Sequence, residues 1–281
     1  MCQKNIVLGM LLMVSLVVCL GASGLLTAPS TSDDSAVWAA ICPVVYPLDQ
    51  TSSERGYHYI FYGNGFFISK QGYLLTAAHV LTDFHDGGQP HILVSRPEAP
   101  ARIIKVEVLA TDAQHDIALL RAVPNPFEGK YEVASLALAA NKPDLGAIVF
   151  AAALRPSQLR DPHTFDAPEH DQDQGEVLQY TTIKLDKAQP EAELFLFNHQ
   201  VLRGQSGAPV LSADGRKVVG IVEGQWLHST PLALAEKQGG SPSIGAAIPI
   251  SYATALLDQQ HISWNTGPEN QLAARTRRAG P

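Results

Sequence analysis

The chain reads as an all-β protein: two barrels or sandwiches of about six short strands each, with one helix near the C-terminus. Three features carry that reading. The 281 residues are 46% hydrophobic and 17% charged, enough apolar material for a substantial core. Twenty-two Gly and nineteen Pro supply many turns, which suits short strands better than a helical bundle. Apolar runs of strand length recur in two series, separated by a polar break at NKPDLG (141–146).

The first series follows a polar linker, TSDDSA (31–36). It comprises AVWAAICPVVY (36–46), YHYIFYG (57–63), GFFIS (65–69), YLLTAA (73–78), HILVSR (91–96), ARIIKVEVLA (101–110) and DIALLRAV (116–123). The second comprises AIVFAAAL (147–154), EVLQYTTIKLD (176–186), ELFLFNH (193–199), APVLS (208–212), KVVGIVEG (217–224) and SIGAAIPI (243–250). SYATALLDQQ (251–260) has helical spacing, with Ser251 as its N-cap. These boundaries predict a first barrel over 31–140, a second with the helix over 141–262, and a disordered tail over 263–281.

Residues 1–30 differ from the rest. A start with Lys4 as its only positive residue leads into IVLGMLLMVSLVVCLGASGLLTAP, the pattern of an export signal, with a cut expected near Ala22-Ser23-Gly24. The stretch from Ile6 to Pro29 also has the length of a membrane span, for which roughly 20 residues suffice, so an uncleaved anchor is the alternative. Val18 stands before Cys19 where a lipidation box needs a small residue, which argues against lipidation. Beyond the leader only Cys42 remains, so the exported domain has no internal disulfide and depends on its core. Cys42 lies in an apolar run and reads as a buried small hydrophobe. The net charge of −7 offers no basic face for nucleic acid.

Chemistry is concentrated in three segments. His79 ends GYLLTAAH, a run that otherwise reads as a buried strand. Ser206 lies in LRGQSGAPV, a tight turn in which Gly204 and Gly207 let a carbonyl approach the hydroxyl. Glycine there also permits a backbone that points the N–H groups of Gly204 and Ser206 into one oxyanion hole. Asp116 stands at the entrance of the strand DIALLRAV, where its carboxylate can be buried and turned toward an imidazole. Each segment alone has an ordinary structural explanation; together they form a base, an acid and a nucleophile.

TAAHV, DIALL and GQSGAPV, in that order, resemble the signature segments of the trypsin-like, chymotrypsin-fold serine peptidases. The context GNGFFISKQGYLLTAAHVL (63–81), with KVVGIVEG and IGAAIPI, is most similar to the bacterial HtrA-type exported branch. The resemblance spans residues 36–260 and implies two six-stranded antiparallel β-barrels with a cleft between them. It implies that Ser206 attacks the scissile carbonyl, His79 takes and returns the proton, and Asp116 orients His79. No cofactor or metal is needed.

The sequence also departs from the family. Members activated by zymogen cleavage carry an acid just before the serine; here Gln205 stands there, so the oxyanion loop has to be ordered another way, by substrate or a partner. Arg203 replaces a proline common in the HtrA branch, and the chain past IGAAIPI is too short for the PDZ domain usual there. The resemblance places the substrate pocket around Gln200, Val201, Val222, Glu223, Gly224 and Ala246. With Gln200 near its floor and no acid at that point, it favours uncharged, small to medium side chains.

The expected function is an exported serine endopeptidase, periplasmic or secreted, free or tethered by its leader, cutting proteins or peptides bound in extended conformation. The alternatives are a catalytically silent relative that binds peptides or a partner protein, and a non-peptide esterase. RDPHTFDAPEHDQDQGE (160–176) offers His163, His170 and several carboxylates; it reads as a solvated loop, with a metal site as the sharper reading. LTDFHDGGQPH (81–91) reads as a loop bordering the cleft. GQWLHSTPLALAEKQGGSPS (224–243) is a packed loop or a lid, with Trp226 exposed.

Overall fold

A computed structural model describes residues 31–47, 59–82, 88–96, 99–155, 169–185, 187–226 and 244–267. The first apolar run does not form one strand. Its start joins the expected linker in helix α1 (Thr31–Ala40), and strand β1 (Ile41–Pro47) begins where β-branched residues take over. Ala36, Ala39 and Ala40 favour the helix, and Ile41, Val44 and Val45 favour the strand. YHYIFYG and GFFIS, expected as two strands, are one: β2 (Tyr59–Phe67) runs through Gly63-Asn64-Gly65. The turn Ser69–Gly72 returns the chain as β3 (Tyr73–Ala77), with the Ile68 N–H donating to the Tyr73 carbonyl at 2.9 Å. Helix α2 (His79–Thr82), β4 (His91–Arg96), β5 (Ala99–Asp112) and β6 (Ile117–Val123) complete the first half. Its strands close a barrel in the order β1-β2-β3-β6-β5-β4.

The second half contains β7 (Ala137–Leu138), β8 (Ile148–Arg155), β9 (Glu169–Ile183), β10 (Ala192–Phe197), β11 (Pro209–Ser212), β12 (Lys217–Gln225) and β13 (Gly245–Pro249). They pair in the order β11-β8-β9-β10-β13-β12-β7, and a further β11–β12 pairing joins six of them into a ring. The two-residue β7, which the sequence reading missed, lies parallel to β12. Strand β9 starts at Glu169, seven positions before its expected start, so the C-terminal part of the supposed solvated loop is sheet. Pairing with Val149–Arg155 of β8 outweighs the poor strand propensity of residues 169–175. Residues 160–168, 83–87 of the 81–91 loop and 227–243 of the 224–243 loop lie outside the described residues.

Helix α3 (Ile250–Gln259) matches the expected C-terminal helix, but Ser251 is not its cap. Pro249 holds that place with no side-chain cap bond, and Ile250, wholly buried, starts the helix against the core. The expected tail is ordered at its beginning: Trp264 Nε1 donates to Asp258 Oδ1 at 3.0 Å, and the Asn265 carbonyl accepts the Leu138 N–H at 2.8 Å. Residues 268–281 and the leader lie outside the described residues, among which no helix is long and apolar enough to cross a membrane.

The strands between the halves are apolar on both faces because both faces are covered. In β6, Leu120 and Ala122 belong to a cluster with Phe67, Leu74, Ile92 and Ile104 of the first barrel. Alternate residues Ile117 and Leu119 join a larger cluster with Phe195, Phe197, Val210 and Ile221 of the second. Period-two alternation thus sends one side of the strand to its own barrel and the other to its neighbour. Cys42 is buried in the first cluster, and burial pushes its thiol far up, which makes it a poor nucleophile.

Candidate active site

His79 emerges where β3 ends and α2 begins, and Asp116 stands immediately before β6. The register Ala77↔Ile117 brings these two strand ends together. Asp116 adopts φ 54°, the left-handed region that aspartate tolerates better than most residues. That turn aims three acceptors at the other strand end. The Asp116 carbonyl accepts the Ala78 N–H at 2.9 Å, Oδ1 accepts the His79 N–H at 2.7 Å, and Oδ2 lies 2.6 Å from His79 Nδ1. The carboxylate is nearly buried at 10% exposure, whereas the imidazole is 42% exposed and faces the cleft. With Nδ1 directed at the carboxylate, Nε2 is the nitrogen left for the cleft.

Ser206 comes from the turn between Leu202 and β11. The Gln205 N–H donates to the Leu202 carbonyl at 3.2 Å, and Gly207 N–H to the Val222 carbonyl at 2.8 Å. Gly204 at φ 92° and Gly207 at φ 81° require the left-handed region. Neither tolerates a side chain: a Cβ at 204 would lie 2.6 Å from Phe61, and one at 207 would strike the Asn64 carbonyl and Thr76 hydroxyl. The Ser206 hydroxyl donates to the Glu223 carbonyl at 3.1 Å.

His79 and Ser206 line one cleft of about 360 Å³ together with Gly204, Val201, Gly224 and Tyr62. Of the expected pocket residues, Val201 and Gly224 therefore lie beside the serine. Glu223 lines the adjoining cleft with His79, Asp116 and Lys187. Gln200 is exposed, Val222 and Ala246 are wholly buried, and none of these three lines either cleft. Val222 acts through its backbone, which holds Gly207 and Ala208.

Two residues that the sequence reading did not place at the site hold the serine turn. Asn64 is wholly buried in β2. Its N–H donates to the Ser206 carbonyl at 2.8 Å, and its Nδ2 to the Gly204 carbonyl at 2.8 Å and the Leu154 carbonyl at 3.1 Å. Its Oδ1 accepts the Leu154 N–H at 2.9 Å. One side chain thus ties the first barrel to β8 and to the turn. The signal was present as a lone amide inside an apolar strand, since a buried amide has to find partners. Gln205, noticed only as a missing acid, is 1% exposed and bonded inside the protein, so contacts within the chain hold the turn. Arg203 is exposed. In the supposed metal segment, His170 stacks on Trp38 with ring centroids 4.2 Å apart, and Asp171 pairs with Arg155. Among the described residues no group of three or more His, Cys, Asp or Glu could hold a metal ion.

A six-stranded barrel and a second barrel-like sheet, with His and Asp from one half and a glycine-flanked Ser from the other, define a chymotrypsin-type fold. The model of the trypsin-like peptidase domain family matches residues 63–221, and the chain belongs to that family of serine endopeptidases. No curated protein matches the sequence. Among solved structures, the active form of the Rv3671c protease from M. tuberculosis is similar at TM-score 0.56 and 16% identity, covering 85% of this chain and 91% of that one. The MamO protease domain from Magnetospirillum magneticum gives 0.55 and 19%, covering 79% and 97%. The HtrA-type protease AlgW, solved with a decapeptide, gives 0.55 and 17%, covering 80% and 66%.

Proposed function

We propose that this serine peptidase cuts extended peptide segments of exported proteins with Ser206 as nucleophile, His79 as base and Asp116 as orienting acid. The observation that carries the reading is the 2.6 Å contact between Asp116 Oδ2 and His79 Nδ1 beside a cleft that His79 shares with Ser206. Asp116 holds the tautomer with the proton on Nδ1, so Nε2 can accept the Ser206 proton. Oγ then attacks the scissile carbonyl, and the N–H groups of Gly204 and Ser206 receive the oxyanion. His79 returns its proton to the leaving amine. Water, activated by the same nitrogen, releases the acyl group. The chain's own residues complete this cycle without a metal or cofactor. Export rests on the leader pattern of residues 1–30, and the cleft opens to the periplasm or the medium, with the leader cut or retained as a tether.

One observation favours a silent peptide-binding relative: the Ser206 hydroxyl is engaged with the Glu223 carbonyl. Rotation about one side-chain bond redirects that proton, and an arriving substrate competes for the same space. Hydrolysis of casein by the purified protein decides between the two readings. The proposed function predicts cleavage that falls to background in a folded Ser206→Ala variant. Retained cleavage in that variant would remove Ser206 from the chemistry, and an inert wild-type protein would favour the silent reading.

A further inference from the structure

Gln205 occupies the centre of the turn that carries both proposed oxyanion donors, and its side chain points into the protein rather than the cleft. Its Oε1 accepts the Leu202 N–H at 2.6 Å, which fixes the direction of the amide. Nε2 must then find an acceptor, and it donates to Asp171 Oδ2 at 2.8 Å. The same carboxylate oxygen lies 2.6 Å from Arg155 Nε, diagonally across the β8–β9 ladder. Asp171 is 13% exposed and Arg155 30%, so the carboxylate is drawn out of water but kept neutralised. On the other face of β9 the preceding residue, His170, stacks on Trp38 of α1 with an interplanar angle of 9°, which pins the strand in place.

We propose that Asp171 is a positioning residue for the oxyanion hole: through Gln205 it fixes the turn that aims the Gly204 and Ser206 N–H groups. The second barrel supplies from its own strand the anchor that the missing acid at position 205 cannot take from a new N-terminus. The proposal rests on the reading of Ser206 as nucleophile. Because Asp171 lines neither cleft beside Ser206, losing it should lower turnover and leave substrate binding nearly intact.

An exchange of the two groups tests this. In Gln205→Glu two carboxylates face each other, whereas Gln205→Glu combined with Asp171→Asn restores one donor and one acceptor between positions 171 and 205 in reversed order and moves the single negative charge beside Arg155 to position 205. Both are compared with wild type and with Asp171→Asn in the full chain, using acetyl-alanine 4-nitrophenyl ester turnover, fluorophosphonate labelling of Ser206 and thermal melting. The expected kcat loss is about 10²-fold for Gln205→Glu, the size of a lost oxyanion donor, and about tenfold for Asp171→Asn, with KM within about threefold in each. The double variant should regain at least about tenfold in kcat over Gln205→Glu. A double variant no faster than Gln205→Glu would overturn the proposal, as would Asp171→Asn with wild-type kcat, whether or not Gln205→Glu folds. Losses in kcat that only follow losses in melting temperature across the variants, without rescue, would also overturn it, since that is the mark of a merely structural contact. Wild-type protein that neither labels nor turns over would overturn the proposed function and this proposal with it. An active wild type with no response to the exchange overturns this proposal alone.

Discussion

The two halves of the active site are held in different ways. The His79–Asp116 half belongs to adjacent strand ends of one barrel, and its three hydrogen bonds follow from the β3–β6 register and one left-handed residue. The Ser206 half is a loop whose shape depends on polar side chains reaching in from distant parts of the chain. Asn64 lies 140 residues before Gly204, and Asp171 lies 34 before Gln205. The proposed acid–base pair is therefore a by-product of sheet pairing, whereas the proposed nucleophile and its hole depend on a polar network that has to be complete.

Variants on each side should separate these two designs. The largest effect is expected for Asp116→Asn, which keeps the shape but favours the wrong tautomer of His79: a loss in kcat of roughly 10⁴-fold with little change in melting temperature. A near-normal rate, measured on the same ester substrate, would mean that another acid serves His79. Asn64→Ala should cost less in rate and more in stability. It leaves the Leu154 N–H and two carbonyls in the interior without their partner, at about 1–3 kcal/mol each when no water replaces it, and lets the Gly204 turn relax. Its kcat should fall about 10²-fold, with a drop of several degrees in melting temperature. If Asn64→Ala melts as the wild type does, the polar clamp is not what holds the second half.

The same division explains what could be read from the chain. The thirteen apolar runs correspond to twelve of the thirteen strands among the described residues, so both β-halves, and the helix after IGAAIPI, were legible from pattern alone. His79 and Asp116 stood out as polar residues at the edges of such runs, and Ser206 as a hydroxyl between Gly204 and Gly207 just before one. The errors fell where pattern and pairing disagree. Nothing polar marks the change from helix to strand between Ala40 and Ile41, and nothing apolar marks the start of β9 at Glu169, whose neighbours His170 and Asp171 are polar because one stacks on Trp38 and the other anchors Gln205. Asn64 was visible as an odd amide in an apolar strand, but its partners at 154 and 204 are set by how the halves dock. The pocket suffered likewise: Val222 and Ala246 are near in sequence pattern yet turn their side chains into the core.

The central claim is that His79 is present to activate Ser206. Fluorophosphonate labelling of the purified protein, with the adduct located by mass spectrometry, tests it most directly. The account predicts a single adduct on Ser206 that is lost in a folded His79→Ala variant. A folded wild-type protein that takes up no label, or a His79→Ala variant that labels as fast as wild type, would contradict it.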